Sequence, residues 1–279
     1  MIGLIGWPVS HSFSPAMHNA ALAALGLNWV YVPMPVPPGR VGGAVRGLHA
    51  LGFRGVNVTV PHKQAVMPFL DEISPAAAAI RAVNTILVEQ ASGLLLGSNT
   101  DWRGFLADLA AKEVEVNGRH CLVLGAGGSA RGIVYALGQA GGRVRLLARR
   151  PEQAQQLAAD LGDGFVEEIR PFADLKNVAA ETNAPLIINT TPLGMFPHVD
   201  GSPWPDNVSM PAGSFVYDLV YNPPETRLMR QALDAGCDGC NGLGMLLRQG
   251  AFSFARWTGS EPDLAVMQEA LADARAIAS

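Results

Sequence analysis

Several polar or reactive side chains lie at the end of one apolar stretch, Gly55-Val-Asn-Val-Thr-Val-Pro-His-Lys63. In a strand, residues two apart share a face, so the three valines face one way while Asn57 and Thr59 face the other. Pro61 has no N–H and cannot continue a central ladder, so we expect a strand over 55–60 that delivers Lys63 to its carboxyl end. Ligands bind at that end of open α/β sheets. The alternative is a strand with incidental polar residues and a solvated lysine.

A glycine-rich loop follows an apolar strand and opens a helix at residues 124–130. It matches the G-x-G-x-x-G/A pattern, in which glycines allow a tight turn and let the backbone approach a pyrophosphate at the helix N-terminus. The order strand, loop, helix, strand favours a dinucleotide site over a simple tight turn. The residues of this predicted site are Gly125, Ala126, Gly127, Gly128, Ser129 and Ala130.

Two arginines, Arg149 and Arg150, end the next predicted strand. A site for NAD usually has an acidic residue there to hold the ribose 2′-hydroxyl, whereas guanidinium groups suit a 2′-phosphate. The sequence therefore predicts NADP as the cofactor. The alternative is a solvated basic start to the following helix.

An enzyme that reduces a carbonyl with a nicotinamide needs a proton donor at the carbonyl oxygen. Lys63, held by the carboxylate of Asp101, could supply that proton. We therefore expect these two side chains to lie together.

Composition points to small-molecule chemistry. The chain has 279 residues, 49% of them hydrophobic, which is enough for two domains with buried cores. Its net charge of -4 argues against a nucleic-acid footprint or a polybasic membrane patch. The apolar N-terminus lacks a basic lead-in and breaks at Pro8, so we read it as a strand and expect a cytoplasmic protein that does not enter membranes. The odd number of cysteines, three, suits a reducing compartment.

Alternating apolar runs and helical patterns in the first hundred residues predict a parallel-sheet α/β unit. We expect Ser14-Pro15 to cap and start its first helix, a helical segment over 64–73, and a hairpin formed by 84–88 and 94–97. The strand pattern from residue 119 onward is that of a Rossmann half. Two final helices, near 246–257 and 263–277, have no strand after them and must pack back onto the first domain.

The remaining cysteines and histidines fit no metal pattern. Cys237 and Cys240 have redox or zinc spacing, but no second pair lies nearby, so we interpret 237–240 as a loop. We expect no metal, a hydrogen-bonded His18 within the first helix, and no role for His62.

Motifs along nearly the whole chain resemble the shikimate dehydrogenase family of bacterial biosynthetic enzymes. They are Ser10-His-Ser-Phe-Ser-Pro15 with His18-Asn19, Asn57-Val-Thr-Val-Pro-His-Lys63, Ala82-Val-Asn-Thr85, Asn99-Thr-Asp101, Gly125-Ala-Gly-Gly-Ser-Ala130, Asn189-Thr-Thr-Pro-Leu-Gly-Met195, Asp218-Leu-Val-Tyr-Asn-Pro223, and Gly242-Leu-Gly-Met245 before Gln249.

This resemblance implies NADPH-dependent, reversible reduction of 3-dehydroshikimate to shikimate, a step of chorismate and aromatic amino acid biosynthesis. It implies that Lys63 and Asp101 are catalytic and that both also contact the substrate. The other substrate-binding positions that it implies are Ser12, Ser14, Asn57, Thr59, Asn84, Tyr221 and Gln249.

The resemblance also implies a cofactor role for the glycine loop and for Arg149 and Arg150. Further positions on segments that line the nicotinamide in the family are Thr190, Met195, Leu219, Gly242 and Met245, for several of which core packing is the alternative. The chain departs from the family's usual Asn-Arg-Thr motif, since Ala148 and Arg150 flank Arg149. How strictly NADP is preferred therefore stays open.

The predicted architecture is a two-domain α/β protein. Residues 1–101 form the substrate-binding domain, residues 102–245 form a Rossmann-like NADP-binding domain, and residues 246–279 return to the first domain. We expect a small-molecule substrate and a monomer or homodimer. The rival functions are a quinate/shikimate dehydrogenase that uses NAD, and a non-catalytic sensor of the same ligands.

Overall fold

The computed structural model describes residues 1–278 and divides the chain into two compact units. The first unit contains residues 1–104 and the chain from residue 246 onward, and the second contains residues 105–245. Each unit is built around its own six-stranded sheet.

The sheet of the first unit is mixed. Its strands are β1 (Ile2–Gly6), β2 (Tyr31–Pro35), β3 (Gly55–Val58), β4 (Glu72–Ile73), β5 (Thr85–Val88) and β6 (Leu95–Ser98). They lie in the order β2-β1-β3-β5-β6-β4, in which β1 is parallel to β2 and β3, while β5 is antiparallel to β3 and β6. A short turn joins β5 to β6, which requires antiparallel pairing, so the predicted hairpin is confirmed and makes this α/β sheet mixed.

The sheet of the second unit is wholly parallel. Its strands are β7 (His120–Leu124), β8 (Arg143–Ala148), β9 (Glu168–Pro171), β10 (Leu186–Asn189), β11 (Phe215–Asp218) and β12 (Asp238–Asn241). They lie in the order β12-β11-β10-β7-β8-β9, and the register places Leu124, Asn189 and Asp218 side by side at the carboxyl edge. Such a sheet, with connecting helices, confirms the predicted Rossmann-like class.

Ten helices accompany the sheets in the described residues. They are α1 (Ser14–Ala24), α2 (Val41–Gly47), α3 (Pro75–Ile80), α4 (Asp101–Ala111), α5 (Gly128–Gln139), α6 (Pro151–Leu161), α7 (Leu175–Ala180), α8 (Arg227–Asp234), α9 (Leu243–Thr258) and α10 (Leu264–Ala278). In the first unit α10 packs against α1, so the C-terminal helices do return to the first unit.

The expected helix over 64–73 is wrong. Only a 3-10 turn forms, at Met67–Phe69, and Leu70 is already extended. Pro68 supplies no N–H to a continuing helix, and the next residues pair instead with β6, where Glu72 lies opposite Leu96. Residues 72–73 thus pair in the sheet, although their apolar pattern predicted a helix.

Two other local predictions are also wrong. Phe13, not Ser14, occupies the N-cap of α1, and Ser14 is the first helical residue. The strand β3 ends at Val58, because the chain turns where His62 N–H donates to Thr59 O at 2.9 Å. Val60 therefore lies in that turn with 61% of its surface exposed and does not share the buried face of Val56.

Buried aliphatic side chains form the core of each unit. In the first unit Val56, Val58 and Ile86 lie in one cluster. In the second unit Leu122 and Ile187 lie in another. Within residues 1–278, no helix has both the length and the apolar character needed to span a membrane.

Candidate active site

The first unit brings Lys63 and Asp101 into direct contact. Nζ of Lys63 donates to Oδ2 of Asp101 at 2.7 Å, and the two side chains are only 14% and 11% exposed. Asp101 is the first residue of α4, where the helix dipole stabilises a carboxylate. The attraction in such a shielded pair is screened less than on an open surface. The pair therefore holds an ammonium group at a fixed place beside the carboxyl end of β3.

Asn84 holds the other oxygen of the Asp101 carboxylate. Its Nδ2 donates to Oδ1 of Asp101 at 2.8 Å and to Oγ1 of Thr100 at 2.9 Å. Its Oδ1 accepts the backbone N–H of Thr100 at 2.7 Å, which defines the orientation of the amide. Asp101 is thus held on both oxygens, by Lys63 and by Asn84.

Asn57 lies on β3, and its side chain is buried and hydrogen-bonded to several polar groups. Its Oδ1 accepts the hydroxyl of Tyr31 at 2.9 Å, and its Nδ2 donates to Ser253 Oγ at 2.9 Å and to Asn84 O at 3.2 Å. Burial raises the pKa of Tyr31 above its usual range, so the phenol keeps its proton and remains a donor. These bonds fix the Asn57 side chain on the polar face that the sequence predicted.

Helix α9 contributes Gln249. Its Oε1 accepts from Asn84 Nδ2 at 3.2 Å, and its Nε2 donates to Leu246 O at 2.9 Å. Gly104 permits this approach, because a Cβ at Gly104 would lie 2.7 Å from the backbone nitrogen of Gln249. A side chain at residue 104 would therefore push α9 away from α4.

The two predicted carboxylate-binding serines lie near one another. Backbone N–H of Ser14 donates to Ser12 Oγ at 3.2 Å, at the beginning of α1. Ser14 is buried, Ser12 is half-buried, and the half-buried Thr59 follows the end of β3. Hydrogen bonds directly connect Lys63, Asp101, Asn84, Asn57 and Gln249 as one cluster; none of the described bonds adds Ser12 or Thr59 to it.

Two histidines near these residues have structural positions. His18 is fully buried with no hydrogen-bond partner on either ring nitrogen, so the expected hydrogen-bonded histidine is wrong. It stacks on Tyr31 instead, and burial lowers its pKa to about 3. The buried ring of His62 has Nε2 2.6 Å from Val36 O. This contact of His62 therefore connects the turn after β3 to Val36, the residue that follows β2.

In the second unit, the glycine loop fits a dinucleotide phosphate. Gly125 has a φ of +110°, and a Cβ there would lie 2.7 Å from Thr190 Oγ1, so a larger residue would disturb the loop. A Cβ at Gly127 or Gly128 would meet nothing within 4 Å, which leaves open space in front of α5. No side chain caps the start of α5, so its backbone N–H groups suit an anion. Ala126 and Ser129 are half-buried, while Ala130 packs inside.

Arg149 and Arg150 are exposed directly after β8. Arg150 is the N-cap residue of α6 and makes no side-chain cap there. Two exposed guanidinium groups one strand away from the glycine loop can bind the adenosine phosphate of NADP by charge and by paired hydrogen bonds. The residues present therefore fit NADP.

A buried network ties together the loops at the carboxyl edge of the second sheet. Asp218 Oδ1 accepts from Asn189 Nδ2 at 2.8 Å and from Val220 N–H at 3.0 Å, and its Oδ2 accepts from Thr226 Oγ1 at 2.6 Å. Asn189 Oδ1 in turn accepts the backbone N–H of Thr191 at 2.9 Å. Burial raises the pKa of Asp218 to about 6. The network fixes the segments that carry several predicted cofactor residues.

Those predicted residues have different surroundings. Thr190 Oγ1 donates to Leu124 O at 2.8 Å, and Met195 is 47% exposed. Leu219 N–H donates to Asn189 O at 3.0 Å, as the chain leaves β11. Gly242 lies where a Cβ would be 2.3 Å from Leu219 O, and Met245 is buried. Tyr221, predicted to bind substrate, lies in the second unit, and burial raises its pKa.

Sequence reasoning missed five residues of these networks: Tyr31, Thr85, Thr100, Ser253 and Asp218. One signal could have found Ser253, because it lies four residues after Gln249 and so shares a helix face with it. Thr85 and Thr100 each adjoin a predicted site residue in sequence. Tyr31 lies in an apolar strand and gives no such signal.

The cysteine pair lies partly in a strand, so the loop interpretation is wrong for Cys240, which belongs to β12. Cys121, Cys237 and Cys240 are all free thiols, and burial raises the pKa of Cys240 to about 12. Within residues 1–278 no group of three or more His, Cys, Asp or Glu side chains could hold a metal ion.

Comparisons with known proteins agree on one family. Residues 4–86 match the family described as the shikimate dehydrogenase substrate binding domain, and residues 242–272 match the shikimate 5'-dehydrogenase C-terminal domain. The chain is 46% identical to "Shikimate dehydrogenase (NADP(+))" of Moorella thermoacetica, over 100% of this chain and 95% of that protein.

Solved structures give the same result. Shikimate 5-dehydrogenase from Thermus thermophilus, in complex with NADP(H) and shikimate, is 40% identical with a TM-score of 0.87, covering 98% of each chain. Quinate dehydrogenase from Corynebacterium glutamicum, in complex with NAD, is 31% identical with a TM-score of 0.88, also covering 98% of each chain. With full-length identity of this size and the same two-sheet architecture, the chain belongs to the shikimate dehydrogenase family.

Proposed function

We propose that this chain is an NADP-dependent shikimate dehydrogenase, an oxidoreductase that interconverts 3-dehydroshikimate and shikimate. The observation that carries the proposal is the shielded Lys63–Asp101 pair, with Asn84 on the second carboxylate oxygen. Two relatives support the substrate and the cofactor: the shikimate dehydrogenase (NADP(+)) of Moorella thermoacetica, and the shikimate 5-dehydrogenase of Thermus thermophilus in complex with NADP(H) and shikimate.

Ser12 and Ser14 bind the substrate carboxylate in this proposal. Both hydroxyls lie at the beginning of α1, where backbone N–H groups can add to the binding of an anion. Neutral donors are sufficient for one carboxylate when they act together at a shielded place.

The substrate hydroxyls are bound by the polar cluster of the first unit. Its members are Asn57, Lys63, Asn84, Asp101 and Gln249, and we assign the neighbouring Thr59 to the same task. An unpaired buried polar group costs about 1–3 kcal/mol, so an analogue that lacks a hydroxyl would leave cluster atoms unpaired and bind more weakly. The cluster thereby selects a polyol of matching shape.

Lys63 handles the proton at the reacting oxygen. In the reductive direction Nζ donates a proton to the ketone oxygen, and in the oxidative direction it accepts the proton of the alcohol. Asp101 positions the Lys63 ammonium group through Oδ2, because its other oxygen, Oδ1, accepts a hydrogen bond from Asn84. When bound, NADPH supplies the hydride that the carbonyl carbon receives.

We assign the cofactor to the second unit. Gly125, Ala126, Gly127, Gly128, Ser129 and Ala130 hold the pyrophosphate, Arg149 and Arg150 hold the adenosine phosphate, and Thr190, Met195, Leu219, Gly242 and Met245 line the nicotinamide. The cradle at Gly127 and Gly128 and the exposed arginines support this assignment. Tyr221 is assigned to the substrate, and its raised pKa keeps the phenol a donor.

The domain roles follow from these assignments. Residues 1–101 bind substrate, residues 102–245 bind NADP, and residues 246–279 complete the substrate domain through Gln249. We further propose a place in chorismate and aromatic amino acid biosynthesis and a cytoplasmic location. The three free thiols support a reducing compartment.

One assay tests the proposal and its two rivals. Absorbance of reduced nicotinamide is followed with shikimate or quinate, each with NADP⁺ or NAD⁺. The proposal expects shikimate with NADP⁺ to give the highest kcat/KM. Faster turnover of quinate with NAD⁺ would favour the rival that the Corynebacterium glutamicum structure represents. No turnover in any combination would leave the non-catalytic sensor.

A further inference from the structure

Ser253 connects α9 to the polar cluster by hydrogen bonds and is completely buried. It is 0% exposed and lies one helical turn after Gln249. Its Oγ lies 2.9 Å from Asn57 Nδ2, 2.8 Å from Thr85 Oγ1 and 3.1 Å from Thr100 Oγ1. One hydroxyl thus meets polar atoms from three other segments.

Four of these side chains form a closed ring of hydrogen bonds. Its members are Ser253, Thr85, Asn84 and Thr100. Ser253 and Thr85 are 2.8 Å apart, Thr85 and Asn84 Oδ1 2.9 Å, Asn84 Nδ2 and Thr100 2.9 Å, and Thr100 and Ser253 3.1 Å. Each hydroxyl has one proton, so each can donate to one neighbour while it accepts from the other.

The orientation of Asn84 decides the direction of that ring. Asn84 Oδ1 accepts the backbone N–H of Thr100 at 2.7 Å, so this atom is an acceptor and the Thr85 hydroxyl must donate to it. Ser253 has one proton and two acceptors within reach, Thr85 Oγ1 at 2.8 Å and Gln249 O at 3.1 Å. When Ser253 donates to Thr85, the shorter contact, and Thr100 donates to Ser253, the ring runs head to tail. Hydrogen bonds arranged head to tail polarise and strengthen one another.

We propose that Ser253 is a positioning residue that closes this ring and thereby holds the Asn84 amide against Asp101. This inference rests on the proposed function and deepens it. Asn84 Nδ2 has two protons: one goes to Asp101 Oδ1 at 2.8 Å and the other enters the ring at Thr100 Oγ1, 2.9 Å away, while Gln249 Oε1 is a more distant acceptor at 3.2 Å. Asp101 Oδ2 is then directed at Lys63, the acid/base residue. Ser253 acts through its partners, because no part of it is exposed to a ligand: it reaches Asn84 by way of the ring, and it also accepts from Asn57 Nδ2 at 2.9 Å.

The primary test is Ser253→Ala, measured by kcat and KM for shikimate and NADP⁺ in the purified full chain. We expect kcat to fall about tenfold with KM for shikimate changed less than threefold, because two ring bonds and the Asn84 orientation are lost while the substrate-contacting groups remain. Ser253→Thr keeps the hydroxyl and should restore most of kcat.

Thr258→Ala is the matched control on the same helix. Thr258 Oγ1 donates to the carbonyl four residues back, Phe254 O, at 2.9 Å, and Ser253 Oγ lies in the same way 3.1 Å from Gln249 O. Thr258 makes no described bond to the ring, so its loss should leave kcat unchanged. Equal losses of kcat in both alanine variants would assign the effect to the helix and overturn the proposal.

A double-mutant cycle tests the route through Asn84. If Ser253 acts through Asn84, then Ser253→Ala should cost less than twofold in kcat when introduced into an Asn84→Ala chain. A full tenfold cost in that background would overturn the proposal. If Ser253→Ala does not fold, Thr85→Val breaks the ring on its other side with nearly unchanged volume, and full kcat in that variant would likewise overturn it.

Measuring the wild type in the same assay distinguishes failure of the positioning role of Ser253 from failure of the proposed function. An active wild type with an equally active Ser253→Ala variant overturns the positioning role alone. A wild type with no turnover overturns the proposed function, and the positioning role with it.

Discussion

The imidazole of His18 lies flat on the phenol ring of Tyr31, with ring centroids 4.3 Å apart and an angle of 5° between the planes. Phe254 and Trp257 complete the surroundings at centroid distances of 6.1 Å and 5.6 Å. The stack fixes Tyr31, whose hydroxyl donates to Asn57. A histidine without hydrogen bonds therefore supports the predicted substrate site by packing alone.

Replacing His18 by Phe should protect the protein against acid. Burial lowers the folded-state pKa of His18 to about 3, so below pH 6.5 the unfolded chain takes up a proton that the folded chain does not. Relative to His18→Phe, the wild type should lose about 2 kcal/mol of unfolding free energy between pH 7 and pH 5. Chemical denaturation of both proteins at several pH values measures this difference. Parallel stability curves would show that His18 titrates normally in the folded protein.

Asp218 should give the opposite pH dependence. Burial raises its folded-state pKa to about 6, so its contribution to stability is present at low pH and is lost as pH rises through 6. Between pH 4 and pH 7 the unfolding free energy of the wild type should fall by about 2 kcal/mol relative to Asp218→Asn. Urea titrations of both proteins test this, and a difference that grows with pH would contradict the raised pKa.

Arg149 should decide the choice of nicotinamide cofactor. Exchanging it for Asp removes a guanidinium and adds a charge that repels the 2′-phosphate, so KM for NADP⁺ should rise about 10- to 100-fold while KM for NAD⁺ stays the same or falls. Arg54→Asp makes the same charge change at an exposed position of the first unit and serves as the control. Unchanged NADP⁺ kinetics in Arg149→Asp would remove Arg149 from the cofactor site.

Much of the fold was predictable because local signals agreed with tertiary pairing. In the second unit, apolar runs form the strands at 186–189 and 215–218, and Pro151 starts the helix at 151–161, so the predicted Rossmann pattern had clear local signals. Segment 64–73 was not predictable in this way. Its apolar spacing suits a helix, and only the partner strand β6 shows that residues 72–73 pair in a sheet.

The residues of the candidate site also differ in whether a local sequence signal indicates them. Lys63, Asn84 and Asp101 lie next to strand ends or a helix start, so their types and places were visible in the sequence. Ser253 and Tyr31 contact Asn57, which lies 196 and 26 residues away in the sequence. Ser253 has one local signal, its helical spacing from Gln249, and Tyr31 has none. The side chains proposed to touch a ligand could thus be named from the sequence, whereas most of those that hold them in place required the structure.

In the proposed mechanism Lys63 transfers the proton while other groups bind the substrate. Steady-state kinetics of Lys63→Ala with shikimate and NADP⁺, beside the wild type, test it most directly. We expect kcat to fall by about 10²- to 10⁴-fold with KM for shikimate changed less than tenfold, because the acid/base group is lost while the serines, Asn57 and Gln249 remain. A Lys63→Ala variant with wild-type kcat would contradict the account.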